Sequence, residues 1–210
     1  VFINAGPTVE PIDPVRFISN HSSGRMGIAL ADEAVRLGAD VTLVLGPVAL
    51  RPASEAVKIV DVTTAAQMKE ASVTAFLDCD IAILAAAVAD FTPEATAEQK
   101  IKRGEGEMTI RLRPTEDIAA YLGKIRKEGQ FVAGFALESD NEISNAKGKL
   151  RRKNLDMIIL NSLGDEGAGF GYDTNRVTII DRNNNIDKFE LKSKGEVASD
   201  ILRRIISLTG

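Results

Sequence analysis

The sequence predicts a single three-layer α/β domain over residues 1–210, with helices on both faces of a mixed, mostly parallel sheet and a late antiparallel hairpin. Three observations carry this. Apolar strand-length runs alternate with helical stretches through most of the chain, the pattern that builds a parallel sheet. One run, Ile81 to Val88, is apolar throughout, as expected of a central strand covered on both faces. After Leu160 the alternation breaks, and two short strands flank Asn183-Asn184-Asn185, a hairpin-turn sequence.

The elements follow in order. Val1 to Ala5 is a short apolar strand closed by Gly6-Pro7, and Thr8 to about Ser22 is a polar, proline-bearing loop. A helix starts near Ser23-Gly24 and stops at Gly38, a residue suited to the left-handed cap. Val41 to Leu45 and Ile59 to Val62 are strands. Thr64-Ala65-Ala66-Gln67 has the capping-box pattern and opens a helix to about Leu77. Residues 89–107 form a long loop rich in charge and glycine, and Met108 to Leu112 alternates as a strand. Asp117 to Lys127 reads as a helix, Phe131 to Leu137 as a strand, Glu142 to Asn154 as a helix and Met157 to Leu160 as a strand. Val177 to Asp181 and Lys188 to Leu191 make the hairpin, and Ser193-Lys194-Gly195-Glu196 caps a last helix to about Leu208.

Composition narrows the function classes. The 26 basic and 30 acidic residues give a net charge of -4, which argues against a duplex-binding surface but leaves room for a local anion site. With one cysteine, Cys79, the chain has no internal disulfide, in keeping with a reducing, cytoplasmic setting. No apolar run is long enough to span a bilayer, so no membrane partner is expected. The chain opens inside a strand without an initiator Met, and reads as lacking its natural start.

Ligands of open α/β sheets bind beyond the carboxyl ends of the strands, so the loops there matter most. Gly6, Ser22, Ser23 and Gly24 sit ahead of a helix, where backbone N–H groups and the helix dipole receive an anion; a glycine-rich packing turn explains them equally well. In the same loop Arg16 offers a bidentate grip on a phosphate or carboxylate, and Asn20 a donor and an acceptor. His21, the single histidine, has no Cys or His partner for a metal and is read as a loop-stabilising residue. Small residues at Ala85 and Ala86 let a flat ring or ribose approach the backbone, with Asp90 placed to accept from sugar hydroxyls; tight packing and a turn cap are the plainer alternative. Lys100-Ile101-Lys102-Arg103 is either a solvated charge run or a phosphate clamp on a lid-length loop. Lys149 and Lys153, four apart on one helix, share a face, and a solvated face with cations favoured near the helix C-terminus is the plainer reading of them.

Taken in order, these segments resemble the phosphopantothenoylcysteine synthetases of coenzyme A biosynthesis. The resemblance runs through Gly6-Pro7-Thr8, the stretch from Asp13 to Gly24, Ala86-Ala87-Val88-Ala89-Asp90-Phe91, Lys100-Ile101-Lys102, Gly134-Phe135-Ala136-Leu137-Glu138 and Lys153-Asn154-Leu155-Asp156. It implies a fold with Rossmann-like and ribokinase-like features, a homodimer with active sites close to the interface, for which the 177–191 hairpin is the candidate structure, and fusion to a flavin-dependent decarboxylase domain, with no flavin in this one. It also implies a reaction. The carboxylate of 4′-phosphopantothenate attacks the α-phosphate of CTP, and the cysteine amine then displaces CMP from the acyl-cytidylate. Mg²⁺ would arrive on the nucleotide, with no dedicated protein metal site.

Carried over by position, the resemblance assigns the nucleotide to Ala85, Ala86, Asp90, Lys100, the Glu116-Asp117-Ile118-Ala119 turn, Phe135, Lys149 and Lys153. Glu116 stands where the family pattern has proline. Asn20 would handle the acyl-cytidylate, Arg16 the phosphopantothenate, and Lys100 the nucleotide from the lid. Two other classes compete. An NAD(P)-dependent oxidoreductase is disfavoured by the missing GxGxxG and by Tyr121 having no lysine four residues on. A non-catalytic nucleotide-binding regulator is opposed only by the presence of Asn20, Arg16 and Lys100.

Overall fold

The computed structural model describes residues 1–104, 106–138, 140–162 and 172–210; position 105, inside the long loop, lies outside the described residues. The chain begins with β1 (Phe2–Ala5), β2 (Val9–Pro11), β3 (Phe17–Ser19), α1 (Arg25–Arg36), β4 (Thr42–Leu45), β5 (Lys58–Asp61) and α2 (Ala65–Phe76). It continues with β6 (Ile81–Leu84), β7 (Phe91–Pro93), β8 (Leu112–Pro114), α3 (Ile118–Ile125), β9 (Phe131–Glu138), α4 (Glu142–Arg152) and β10 (Met157–Ser162). The last part holds β11 (Thr174–Asn175), β12 (Val177–Asp181), β13 (Ile186–Lys188), β14 (Lys192–Ser193) and α5 (Lys194–Thr209).

An eight-stranded sheet runs β13-β12-β10-β9-β6-β1-β4-β5. Its six parallel strands, counted along the chain from the β5 edge, follow the 3-2-1-4-5-6 order of doubly wound dinucleotide folds. The order reverses between β1 and β6, so the crevice where such folds bind ligands opens there. β12 joins antiparallel to β10 with Ile159 opposite Ile179, and β13 closes that edge as the far arm of the hairpin. The three-layer architecture read from the sequence is thus present, with its antiparallel element at one edge.

Strand parity divides the core in two. Ile3, Ala5, Ile83 and Ile159 face α1 and α5, while Phe2, Ala82, Leu84 and Ile158 face α2, α3 and α4. On α5 the i, i+4 pairs Val197/Ile201 and Ile201/Ile205 bury fully against α1 and the sheet. Each such side chain contributes about 1.5–3 kcal/mol of burial. Both capping boxes form as read: Thr64 accepts from the Gln67 N–H, and Ser193 from the Glu196 N–H. α1 packs close enough to β1 that a Cβ on Gly27 would lie 2.3 Å from that of Ala5, so only glycine fits there without a shift.

Four expectations are corrected. The run Ile81 to Val88 is a strand only as far as Leu84, because the chain beyond it departs along the loop that follows β1. The loop from Thr8 to Ser22 contains a hairpin, β2 against β3, turned by Asp13, whose Oδ1 accepts from the N–H of Val15 and Arg16. Within 89–107, Phe91–Pro93 is a strand, and its partner is Leu112–Pro114 rather than Met108 to Leu112. The return arm of the late hairpin starts at Ile186, two residues ahead of the expected Lys188, because Asn184 takes a left-handed φ of 65° and closes a tight turn.

Candidate active site

Past the carboxyl ends of β1 and β6 the two chains stay paired: Ala85 N–H donates to the Asn4 carbonyl at 3.1 Å, and Ala87 N–H to the Gly6 carbonyl at 2.8 Å. This narrow ribbon divides the crevice. One cavity, of about 220 Å³, opens on the α3 and α4 side and takes Ala86, Asp117, Ile118, Lys149 and Lys153 into its walls. A second, of about 680 Å³, opens on the α1 and α5 side and includes Asn20, Ser22, Ser23, Gly24 and Ala85. Ala86, Asp90 and Phe135 line both cavities, so the two meet at these residues. Ala85 and Ala86, grouped together from the sequence, pack against opposite cores.

The first cavity gathers charge from three elements. Asp117 caps α3, its Oδ1 accepting from Ala120 N–H at 3.0 Å, and its Oδ2 pairs with Lys153 at 3.0 Å. Partial burial raises its pKa, but the Ala120 N–H and the lysine outweigh this and leave it lowered. One turn earlier on the same face of α4, Lys149 reaches Glu138 at the end of β9, 2.7 Å away. Glu116 is held by Lys69 of α2 at 2.5 Å, and Lys69 also lies 4.4 Å from the Tyr121 ring centroid. Lys149 and Lys153, both in the cavity wall, are thus each paired with a carboxylate. Among the described residues, no three His, Cys, Asp or Glu side chains are grouped to hold a metal.

The second cavity is built around the start of α1. Gly24 takes φ 70° as the N-cap residue and provides no side-chain cap, and no acidic residue occupies the first turn. The N-terminal N–H groups therefore present the positive end of the helix dipole to the cavity. Gly6 packs beneath this turn, 3.6 Å from where a Cβ on Gly24 would sit. Asn20 reaches across the crevice and donates through Nδ2 to the Val88 carbonyl at 3.0 Å. His21 lines this cavity too, on its exposed rim.

Three of the expected site residues line neither cavity: Gly6, which packs beneath the α1 turn, Arg16 and Lys100. Arg16 lines neither cavity. Its Nε donates to Asp13 Oδ2 at 2.9 Å and its Nη2 to the Ile101 carbonyl at 2.6 Å. Asp13 Oδ2 also accepts from Ile101 N–H at 3.1 Å, so the Asp13–Arg16 pair pins the residue between Lys100 and Lys102. Lys100 is exposed and lines neither cavity. Conversely, the structure brings in residues that the motif reading passed over. Asn4, a polar residue in an otherwise apolar strand, accepts from Ala86 N–H through Oδ1 at 3.1 Å and lines the first cavity. Asn161, Asn175 and Lys194 enter the second.

Comparison with known proteins places this site in a family. The family model described as the DNA/pantothenate metabolism flavoprotein C-terminal domain matches residues 1–208. A protein named cysteine/cysteine sulfinic acid decarboxylase, from an unknown prokaryotic organism, is 73% identical over 208 residues, covering 99% of this chain and 58% of that protein. The coenzyme A biosynthesis bifunctional protein CoaBC of Bacillus subtilis (strain 168) is 45% identical over 209 residues, covering 100% of this chain and 51% of that protein. The crystal structure of the C-terminal domain of a CoaBC protein superposes with a TM-score of 0.84 at 40% identity, covering 99% of this chain and 93% of that one. The chain thus spans little more than half the length of these full-length relatives. With almost every residue matched, the chain belongs to the DNA/pantothenate metabolism flavoprotein C-terminal domain family.

Proposed function

We propose that this domain joins 4′-phosphopantothenate to L-cysteine in coenzyme A biosynthesis, using CTP and forming an acyl-cytidylate. The observation that supports it most is the meeting of the two cavities at Ala86, Asp90 and Phe135. A reaction between a nucleotide and a second large anion needs two separate seats with one shared wall. The relatives named CoaBC agree with this reading.

In this reading the first cavity takes CTP. Lys149 and Lys153 exchange their carboxylate partners for phosphate oxygens, Asp90 accepts from the ribose hydroxyls, and Phe135 offers the base an aromatic face. The second cavity takes 4′-phosphopantothenate, with Asn20 beside its carboxyl group. A carboxylate needs no base to act as nucleophile; the obstacle is its approach to a triphosphate, which fixed cations and N–H dipoles lower. A carboxylate oxygen bonds to the α-phosphorus, the bond to the bridging oxygen breaks, and pyrophosphate leaves. The free amine of cysteine then attacks the acyl carbon, the acyl carbon–oxygen bond breaks, CMP leaves, and the amine proton passes to water. Mg²⁺ bound to the triphosphate would supply charge neutralisation there, the described residues offering no cluster of carboxylates or histidines to hold it by themselves.

We further propose a homodimer. The late hairpin exposes Ile186 and Leu191, but exposed apolar side chains are denser on the β2–β3 and β7–β8 hairpins, at Val15, Phe17, Phe91 and Leu112. Sedimentation as a monomer at high concentration would sink this. Among the described residues no helix is long and apolar enough to cross a membrane.

The test of the activity is pyrophosphate release with CTP or ATP, Mg²⁺ and 4′-phosphopantothenate, with and without cysteine. Release that requires 4′-phosphopantothenate and prefers CTP supports the reading, and no release with either nucleotide rejects it. A second reading comes from the 73% identical relative named as a decarboxylase. It predicts carbon dioxide release from cysteine or cysteine sulfinate by this chain, without a nucleotide.

A further inference from the structure

We propose that Asn4, near the end of β1, contacts the nucleobase of the bound nucleotide, its Nδ2 donating to a ring nitrogen or carbonyl oxygen of the base on the floor of the first cavity. The proposal rests on the functional reading above, which seats the nucleotide in that cavity, and adds a specificity-determining residue to it. Asn4 lines the first cavity, yet only 2% of it is exposed.

The placement runs against the ordinary physics of a buried strand. Asparagine is depleted in strands, and a carboxamide carried into an apolar core loses its hydration. The neighbours of Asn4 in register, Val44 on β4 and Leu84 on β6, belong to the apolar core on the α2, α3 and α4 face. One half of the carboxamide has a structural task. Oδ1 accepts from Ala86 N–H at 3.1 Å, which satisfies a backbone donor just past the end of β6. That bond also fixes which way the amide points, because Ala86 N–H needs an oxygen opposite it. The nitrogen has no such task. No described residue accepts from Nδ2. Nδ2 is not fully enclosed either, so it meets the volume of the first cavity. An aspartate oxygen would serve Ala86 equally, so the fold alone has no use for the two N–H donors.

The surroundings select the part of a nucleotide that Asn4 meets. The strand residues beside it in the cavity are apolar: Leu84, Leu155 and Ile158 are buried, and Gly134 adds no side chain. The cations stand apart from this floor, since Lys149 and Lys153 ride on α4 and keep part of their surface in water. A phosphate needs those cations and would lose its hydration on the floor. A flat base suits the floor, with Phe135 in the wall to face its ring. One fixed donor in an otherwise apolar pocket sets a ligand's orientation. It also rejects a ligand without the matching acceptor, which would leave Nδ2 unpaired.

The experiment is calorimetric titration of wild-type, Asn4→Asp and Asn4→Ala chains with CTP and with ribose 5-triphosphate, which carries the same phosphates and no base. Pyrophosphate release with 4′-phosphopantothenate is followed in parallel. Aspartate keeps an oxygen for Ala86 N–H and removes the amide donor, and alanine removes both. We expect each variant to weaken CTP by at least about tenfold and to leave ribose 5-triphosphate within about twofold of wild type. Binding of the base-free ligand reports that the cavity is intact, and Asn4→Ala decides in the same way if the aspartate variant does not fold. Equal affinity of CTP for wild type and either variant overturns the proposal. So does a loss of the same size for both ligands, which would give Asn4 a role in the backbone or toward the phosphates alone. If CTP binding depends on Asn4 but no pyrophosphate is released, the base contact stands and the ligase reading falls. Wild-type release with an unchanged KM for CTP in both variants removes the base contact and leaves the ligase reading in place.

Discussion

The carboxamide of Asn20 donates to the carbonyl of Val88 at 3.0 Å, across the crevice between the loop that precedes α1 and the chain that leaves β6. Asn20 lines the second cavity and Val88 the first, so this bond crosses from one seat to the other. Replacing Asn20 by Asp removes the donor and sets a negative charge beside an anionic intermediate. Asn20→Asp should slow the cysteine step by roughly 10- to 100-fold, on the order of a lost charge-assisted contact of 1.5–3 kcal/mol. Rapid-quench separation of pyrophosphate release from CMP release reads this directly. A normal rate of cysteine adduct formation would remove Asn20 from the mechanism.

Lys149 and Lys153 should matter for the nucleotide and little for the fold. Their partners Glu138 and Asp117 lie 2.7 and 3.0 Å away in pairs that remain partly open to water, where such pairs are worth about 0–1 kcal/mol. Lys149→Ala and Lys153→Ala should each raise KM for CTP by about tenfold or more. KM for 4′-phosphopantothenate and the melting temperature should barely move. Steady-state kinetics with each substrate varied in turn checks the split, and a uniform rise in both KM values contradicts it.

Lys100 poses a different question, since it stands outside both cavities. If its segment swings in to contact the triphosphate, Lys100→Ala should slow cytidylate formation by the equivalent of roughly 1.5–3 kcal/mol. Unchanged pyrophosphate release in that variant would make Lys100 a surface residue.

Asp13 links that segment to the fold. Burial pushes its carboxyl pKa up, but the Arg16 side chain and the N–H groups of Val15, Ile101 and Arg16 outweigh this and hold it well below the carboxylate range. A depressed folded-state pKa stabilises the fold above the unfolded value of about 4, and that stability is lost only as pH falls further. Asp13→Asn should therefore melt below wild type at neutral pH, with the two curves converging only in strong acid. Curves that already coincide at neutral pH would contradict the linkage.

How far the sequence foretold the fold depended on the kind of signal. Capping boxes at Thr64 and Ser193 were legible because their chemistry is local, four residues long and indifferent to the rest of the fold. The end of β6 was not, since Ala85 to Val88 remain apolar while the backbone changes partners. The β2–β3 hairpin was hidden because its strands are three residues each and owe their register to a turn at Asp13. Helical spacing puts Lys149 and Lys153 on one face and the resemblance alone assigns them to the nucleotide, as it assigns Arg16 to the substrate, where the structure pairs Arg16 with buried Asp13. Lys194 was read as part of a helix cap, and its place beside the α1 turn depends on the packing of α5 against α1, which no local pattern encodes.

The proposed reaction has a carboxylate in one cavity attack the α-phosphorus of a nucleotide in the other. It is tested most directly by following oxygen from 4′-phosphopantothenate labelled with ¹⁸O in its carboxylate. Incubation with CTP, Mg²⁺ and cysteine should place one label in CMP, because the attacking oxygen stays on phosphorus when the amine displaces it. Label in inorganic phosphate with CDP as the nucleotide product, or CMP free of label, would contradict the account.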